Sequence, residues 1–286
     1  MIERIYIPTV RRADNQITFN SLPKELQSRV VMVVEPGERH LYRYDLAEYL
    51  EIPESFVGDY YQLSRTRKFI HEHAGAIKYA VMDDDLTIRR RNSKYWTGES
   101  NMETSRRDAT HFEILEAFAT FNIWLDECDI GIVGLSTPDA PPANAEYVDT
   151  KGVFGMLFID GRMLSEVLPE MDLTSIRIAE DVLFIYECLS RGINTRQSTE
   201  WMYDNGSLKK DMQSSRVIWT DMHIFKQPKD HFQTVQHYDA LEYIRKKYPQ
   251  GIKIYEKDGK RKNTKYWKRV YRPSNYGLSL EEFFDD

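Results

Sequence analysis

Short apolar runs rich in β-branched residues alternate with amphipathic stretches along the first half of the chain. RIYIPTV (4–10), RVVMVVE (29–35) and IKYAVM (77–82) are such runs, which are typical of buried strands. Between them, HLYRYDLAEYLEI (40–52) and QLSRTRKFIHEHA (62–74) have apolar residues at helical spacing. The order strand, helix, strand, helix, strand predicts an α/β fold in which helices flank a mostly parallel sheet.

The second half of the chain continues the alternation. We predict helices over 110–128 (THFEILEAFATFNIWLDEC) and 179–193 (AEDVLFIYECLSRGI), and strands over 129–136 (DIGIVGLS) and 152–160 (GVFGMLFID). In open sheets of this kind, ligands bind beyond the carboxyl ends of the strands. Candidate functional residues are therefore those that follow the predicted strands.

The composition fits a folded protein of one large domain, or of a domain with an appendage. The chain has 286 residues, of which 41% are apolar and 13% aromatic. No apolar run approaches the roughly 20 residues of a membrane span, and the N-terminus lacks the apolar segment of a signal peptide. Cys128 and Cys188 lie in apolar helical contexts, so we expect buried free thiols and a cytoplasmic location.

The net charge of −6 conceals an asymmetry. Residues 243–272 contain 12 Lys or Arg against 2 Asp or Glu, a net charge of +10, so the rest of the chain carries −16. The same segment contains six aromatic residues. Cations release counterions from phosphates and aromatic rings stack on exposed bases, so this segment predicts a nucleic-acid partner. An ordinary solvated surface is the alternative.

Three consecutive aspartates follow the third predicted strand. Adjacent carboxylates repel one another, more strongly in a cleft than in water, and a bound cation would relieve the repulsion. Oxygen-only ligands suit Mg²⁺ or Mn²⁺. Because alternate side chains of a strand share a face, we expect Asp83 and Asp85 to bind the metal ion and Asp84 to point the other way. A solvated turn is the alternative interpretation.

An Asp-x-Asp pattern after an apolar strand resembles the metal motif of the GT-A nucleotide-sugar glycosyltransferases, which have a Rossmann-like, mixed, mostly parallel sheet. IYIPTVRR and VVMVVEPGE resemble the first two strands of that fold, and LSRTRKFIHEHA resembles the helix before the metal motif. The resemblance implies a nucleotide-sugar donor, such as a UDP-sugar, and these donor-binding residues: Pro8, Thr9, Arg11, Glu35, Arg65, Arg67 and Asp84. For the two helical arginines, a solvated helix face is the alternative.

The segment AEDVLFIYECLSRG resembles the helix start that carries the catalytic base of inverting GT-A enzymes. The resemblance implies that Asp181, with Glu180 as the alternate, deprotonates the acceptor hydroxyl. Acidic residues also cap helices and interact favourably with the helix dipole, whatever the function. GT-A enzymes often take a third metal ligand from a late histidine; His223 is the candidate by order, and His231 and His237 compete.

Taken together, LSRTRKFI, YAVMDDDLTIRRR and AEDVLFIYECLSRG look most like the TET-associated glycosyltransferases of bacteriophages, over roughly residues 1–225. That family glycosylates hydroxymethylated pyrimidines in phage DNA. The resemblance implies a catalytic domain over 1–225, a C-terminal extension over 226–286 that packs on it and contacts nucleic acid, and a location in the cytoplasm of an infected host. The candidate DNA contacts are Arg89, Arg90, Arg91, Lys260, Arg261, Lys262, Lys265, Trp267, Lys268 and Arg269.

Three other functions remain open from the sequence. A GT-A enzyme could modify a polysaccharide, lipid or protein instead of DNA. A nucleotidyltransferase also uses paired aspartates with a metal ion, but it releases pyrophosphate instead of a nucleoside diphosphate. A non-catalytic nucleic-acid-binding protein with a decayed enzyme core would bind DNA and leave nucleotide-sugars intact.

Overall fold

The computed structural model describes eight stretches of the chain. All structural statements refer to these residues: 1–10, 12–56, 63–91, 106–137, 145–176, 178–204, 239–257 and 260–266.

Ten of the described strands form one sheet in the order β3-β2-β1-β4-β9-β7-β10-β5-β6, with β8 paired to β10. Their bounds are β1 Arg4–Pro8, β2 Val30–Val34, β3 Glu48–Glu51, β4 Lys78–Met82, β5 Thr87–Arg91, β6 Arg106–Asp108, β7 Ile130–Ser136, β8 Tyr147–Asp149, β9 Met156–Asp160 and β10 Asn194–Asp204.

The sheet is mixed, and most of its strands run in one direction. Strands β3, β2, β1 and β4 are parallel neighbours. Strand β9 lies antiparallel between β4 and β7, and β10 runs parallel to β7. Strands β5 and β8 oppose β10, and β6 opposes β5. The predicted α/β fold with a mixed, mostly parallel sheet is confirmed.

Helices cover both faces of this sheet. Their bounds are α1 Ile17–Ser21, α2 Lys24–Gln27, α3 Leu63–Ala74, α4 His111–Trp124, α5 Gly161–Val167, α6 Glu180–Ser190 and α7 239–247, with 3₁₀ turns at Arg39–Leu41, Glu54–Phe56 and Leu168–Glu170. One core cluster joins α1, α2 and α4 to one face, and a second joins α3, α5 and α6 to the other. In β1, Ile5 and Ile7 enter the first cluster and Tyr6 the second, as the strand period of two requires.

The helix predicted over 40–52 is wrong. This stretch forms the 3₁₀ turn and then β3, which pairs with the open edge of β2. Its apolar side chains serve a compact turn, in which Tyr42 is buried and the Tyr49 hydroxyl accepts the Tyr44 N–H at 2.8 Å. The hydrogen bonds offered by the β2 edge, which local spacing does not reveal, decide the conformation. The expectation for Cys128 is also wrong, because this thiol is exposed, whereas Cys188 is buried.

The described part of the C-terminal extension packs against α6. Helix α7 is followed by a hairpin of β11 (Ile252–Lys257) and β12 (Lys260–Lys265). Leu241 and Ile244 of α7 and Ile252 of β11 are buried in a third apolar cluster with Val182 and Leu183 of α6. The predicted boundary at 225/226 lies outside the described residues. No helix in the described stretches is long and apolar enough to span a membrane.

Candidate active site

The aspartate triplet lies in a turn at the end of β4, at the edge of the sheet where ligands bind in open α/β folds. The strand ends at Met82, and the Asp83 N–H still donates to Gly155 O at 3.0 Å. The buried hydroxyl of Thr18 lies 2.5 Å from Asp83 O and accepts the Leu86 N–H at 2.9 Å. The triplet is therefore held by α1, and it lies in a turn after β4 instead of continuing the strand.

Asp84 anchors the triplet inside the fold. It accepts hydrogen bonds from Thr9 Oγ1 at 2.8 Å and from Arg12 Nη1 at 2.6 Å, and Gln16 Nε2 in turn donates to Thr9 Oγ1 at 2.6 Å. Burial raises the pKa of Asp84 to about 6, although the Arg12 charge opposes this shift. The side chains of Thr9 and Asp84 thus bind each other inside the fold. The neighbouring candidate Arg11 lies outside the described residues.

A buried arginine links the triplet to the acidic start of α6. Arg67 Nη2 donates to Asp83 Oδ1 at 2.8 Å, and Arg67 Nη1 lies 3.1 Å from Glu180 Oε1. Both Arg67 and Glu180 have side chains that are only 11% exposed. Burial raises the pKa of Glu180 to about 7 against the lowering effect of Arg67, and the charge of Asp181 raises it further. The two acidic motifs, about 100 positions apart in the sequence, thus form one site.

Asp181 is the acidic residue of this site that has no ion-pair partner among the described residues. Its Oδ1 accepts the N–H of Val182 at 2.7 Å, so the carboxylate also contacts the start of its own helix. Ala179, which precedes the pair, has φ 60° and ψ 30°. A non-glycine residue in this left-handed region is uncommon, and such strain often occurs at functional sites. The candidate base is therefore placed by a specific backbone turn.

Tyr203 and Gly155 belong to this site and were not predicted. Burial raises the pKa of the Tyr203 hydroxyl, and the charges of Asp83 and Asp181 raise it further. Gly155 has φ +70°, and a Cβ there would lie 3.1 Å from the Tyr203 ring. Tyr203 lies in β10, far from the aspartate triplet in the sequence. No local sequence pattern indicates that its side chain belongs to this site.

Two members of the triplet are open to a cation. The side chains of Asp83 and Asp85 are 35% and 23% exposed. Desolvation raises the pKa of Asp83 against the lowering effect of Arg67, and the charge of Asp85 raises it further. Arg12 Nη1 lies 3.4 Å from Asp85 Oδ2. Two neighbouring carboxylates with exposed oxygens fit Mg²⁺ or Mn²⁺. The described residues contain no cluster of three or more metal-binding side chains, and His223, His231 and His237 lie outside them.

The other predicted donor residues surround the same edge of the sheet. Pro8 ends β1 and is buried, whereas Glu35 follows β2 and is half-buried. Arg65 on α3 is half-buried, and the described residues contain no ion-pair partner for it. Among the described residues, the charge of Arg65 is therefore free for a ligand, whereas the charge of Arg67 is used inside the site.

The prediction that Arg89 and Arg91 contact DNA needs correction. Arg91 is 5% exposed and its Nε donates to Thr199 O at 2.8 Å. Arg89 Nε lies 3.0 Å from Asp108 and its Nη1 lies 2.9 Å from Asp204. These guanidinium groups join β5 to its neighbouring strands instead of facing a partner.

Arg90 is also engaged within the fold. Its guanidinium contacts three carboxylates, at 2.6 Å, 2.9 Å and 3.0 Å, which belong to Glu200, Glu113 and Glu116. The positive charge is thereby neutralised, so Arg90 is a poor candidate for a DNA contact.

The basic hairpin retains part of the predicted nucleic-acid surface. Lys262 is exposed and Lys265 is half-buried. Lys260 and Arg261 lie in β12, but their side chains are outside the described set, as are Trp267, Lys268 and Arg269 altogether. For these residues the contact with nucleic acid stays a prediction.

A family model described as TET-Associated Glycosyltransferase matches residues 3–206 of the chain. No curated protein matches the chain.

Solved structures give weaker likenesses. A UDP-glucose pyrophosphorylase complexed with UDP-glucose matches with TM-score 0.38 and 11% identity over 77% of this chain and 100% of that chain. The inositol-1-phosphate CTP transferase from T. maritima matches with TM-score 0.38 and 9% identity over 77% and 95%. The glycosyltransferase GlyE of Streptococcus pneumoniae TIGR4 matches with TM-score 0.35 and 11% identity over 64% and 42%. At these TM-scores, no conclusion about function rests on the solved structures.

Proposed function

The chain belongs to the TET-associated glycosyltransferases, and from that premise we propose that it transfers a sugar from a nucleotide-sugar to a hydroxymethylated pyrimidine in phage DNA, with a divalent metal ion. The donor is a UDP-sugar, and the acceptor is 5-hydroxymethylcytosine or a related base. The observation that carries the proposal is the Asp83–Arg67–Glu180 link, which holds the aspartate turn beside the acidic start of α6.

The triplet is the donor end of the site. Asp83 and Asp85 would hold Mn²⁺ or Mg²⁺, and Asp84 and Arg12 would keep the turn in place. When bound, the ion supplies Lewis-acid stabilisation of the diphosphate leaving group. Arg65 adds forked donors for the phosphate oxygens from α3.

Asp181 is the base in this proposal. The acceptor oxygen forms a bond to the anomeric carbon while the bond from that carbon to the diphosphate oxygen breaks, and the hydroxyl proton passes to Asp181. Its Oδ1 is fixed by Val182 N–H, and its Oδ2 has no donor among the described residues. Glu180 is bound to Arg67 and is therefore the weaker candidate. Attack opposite the leaving group inverts the anomeric carbon.

The charge distribution favours a polyanionic acceptor. Residues 243–272 carry +10 and the rest of the chain −16, so the protein would meet DNA with its extension. In that segment Tyr255 and Tyr266 are each 41% exposed, and exposed aromatic rings stack on unpaired bases. A base substituent in a duplex is reached through the major groove or by flipping the base out.

The proposal is tested by incubating the protein with hydroxymethylated or plain DNA, a panel of nucleotide-sugars and Mn²⁺ or Mg²⁺. Nucleoside mass spectrometry should detect a hexose on the hydroxymethylated base alone, with release of a nucleoside diphosphate. Transfer to a polysaccharide, lipid or protein acceptor instead would overturn the DNA assignment. Release of pyrophosphate would overturn the sugar transfer itself.

Variants separate the two ends of the site. Asp85→Ala and Asp181→Asn should each lower transfer at least about a hundredfold, and Asp181→Asn should keep donor binding. Asp45→Ala, at an exposed position far from the triplet in the sequence, is the matched control. Full transfer by Asp85→Ala would refute the metal assignment.

A further inference from the structure

Lys265 belongs to the inner face of the C-terminal hairpin. In the antiparallel register it lies opposite Ile252, and residues directly opposite each other point to the same face. Ile252 is 2% exposed in the cluster with α6, so Lys265 points towards the body of the protein. Lys253 is one position from Ile252, and Lys262 is three positions from Lys265. Both therefore point to the other face of the hairpin, where they are exposed.

The hairpin has a fixed position relative to the start of α6. The Tyr186 hydroxyl, on α6, donates to Gly251 O and lies 3.3 Å from Tyr266 O. The Tyr266 N–H donates to the same Gly251 O at 2.7 Å, which extends the ladder by one pair. Lys265 directly precedes Tyr266 on β12, and Asp181 lies on the same helix as Tyr186. Lys265 and Asp181 are therefore parts of one packed unit.

The ammonium group of Lys265 has no hydrogen-bond or ion-pair partner among the described residues. Its Nζ lies 5.7 Å from the centroid of the Phe154 ring. Phe154 packs against the same cluster as Val182 and Leu183, the residues that follow Asp181, so Lys265 and Asp181 lie in the same part of the structure. Burial lowers the pKa of Lys265, and the charge of Asp181 partly opposes the shift. A half-buried cation without a partner costs free energy that a bound anion would recover.

The other cations that face the acidic residues are already engaged. Arg67 contacts Asp83 and Glu180, and Arg12 contacts Asp84 and Asp85. An anion that arrives beside Asp181 therefore meets Lys265. The Arg67 guanidinium lies between the triplet, where the donor diphosphate is proposed to bind, and the start of α6, so the side of α6 next to Lys265 is left for the acceptor.

We propose that Lys265 binds a backbone phosphate of the acceptor polynucleotide, next to the hydroxyl that Asp181 deprotonates. The inference rests on the proposed function and deepens it. It makes the C-terminal hairpin part of the acceptor site and makes Lys265 a residue that selects polynucleotides over free nucleosides. The anionic group recognised is a phosphodiester.

The test compares Lys265→Gln with Lys265→Arg on a hydroxymethylated oligonucleotide, on the free hydroxymethylated nucleoside, and on water as the acceptor through donor hydrolysis. For Lys265→Gln, KM for the oligonucleotide should rise about tenfold, with the slope of log KM against log salt reduced by about 1. Its kcat, its donor KM and its donor hydrolysis should stay within about twofold. Lys265→Arg should restore most of the oligonucleotide affinity, since it keeps the charge.

Lys24→Gln is the matched control, because it removes the same charge from an exposed position on α2, outside the C-terminal extension. An equal loss on oligonucleotide, nucleoside and water would mean that Lys265 acts through Asp181, and a raised donor KM would place it at the diphosphate; both results overturn the inference. An unchanged Lys265→Gln enzyme overturns it too and leaves the proposed function standing. If the wild-type protein modifies no nucleic acid, the proposed function itself has failed.

Discussion

Glu180 should make the stability of this protein depend on pH in a direction opposite to that of an ordinary ion-paired carboxylate. Burial and the neighbouring charge of Asp181 raise its pKa from 4.5 to about 7, in spite of the ion pair with Arg67. A shift of this size corresponds to about 3 kcal/mol. The folded state therefore holds the proton of Glu180 more tightly than the unfolded state does.

The sign follows from linkage. Because the pKa is higher in the folded state, the contribution is fully present below pH 4.5 and is lost as the pH rises to 7 and slightly beyond. Glu180→Gln imitates the protonated side chain at every pH. The variant should match the wild type near pH 4.5 and exceed its free energy of unfolding by about 3 kcal/mol at pH 8.

Urea denaturation of both proteins at pH 4.5, 6, 7 and 8 measures this difference. Glu166→Gln, at an exposed position on α5, removes the same charge from the surface and should give a difference that does not change with pH. A flat difference for Glu180→Gln would show that burial does not control this carboxyl. If the free energy of unfolding of the wild type rises relative to that of the variant as the pH rises, the Arg67 ion pair outweighs burial. Either result refutes the reasoning.

Three further substitutions test the packing around the site. Thr18→Val removes the hydroxyl that holds the aspartate turn, so it should lower the free energy of unfolding by about 2 kcal/mol, measured by thermal unfolding, and should lower kcat. Thr18→Ser keeps the hydroxyl and should retain both values, so equal values for the two variants would contradict this. Arg12→Met leaves Asp84 buried without its cation and should cost about 3 kcal/mol at pH 8 but less at pH 5, where Asp84 takes up a proton; equal losses by urea denaturation would argue against it. Gly251→Ala would put a Cβ within 2.8 Å of the Tyr186 ring, and it should cost about 1 to 3 kcal/mol in thermal unfolding; an unchanged Tm would show that the hairpin shifts freely.

Regular periodicity made much of the sheet and its covering helices predictable. The strands that became β1, β2, β4, β7 and β9, and the helices α3, α4 and α6, were predicted from local apolar spacing. The apolar side chains of these elements are buried in the two main core clusters, where the period of the pattern determines which face is covered. The stretch 40–52 failed because an edge strand draws its hydrogen bonds from a neighbour instead of from its own sequence.

The acidic motifs of the site could be predicted from the sequence, but the arginines that pair with them largely could not. Asp83 and Glu180 could be found from their positions after a strand and at a helix start, and Arg67 could be proposed only as one of two arginines on α3. The role of Arg12 was missed because its partner Asp84 is over 70 positions away. The same cause misled the interpretation of Arg90, since nothing local to β5 indicates that distant glutamates surround it.

The bond from the Tyr186 hydroxyl to the Gly251 carbonyl has a consequence for hybrid enzymes. The hairpin of β11 and β12 cannot be exchanged by itself, because the carbonyl that precedes it accepts a hydrogen bond from Tyr186. The Tyr186 ring also stacks on Tyr248. A chimera with a foreign C-terminal extension needs residues like Gly251 and Tyr248 that fit against the Tyr186 ring. Otherwise α6 has to be exchanged as well. Helix α6 and the hairpin of β11 and β12 would therefore have to be exchanged together.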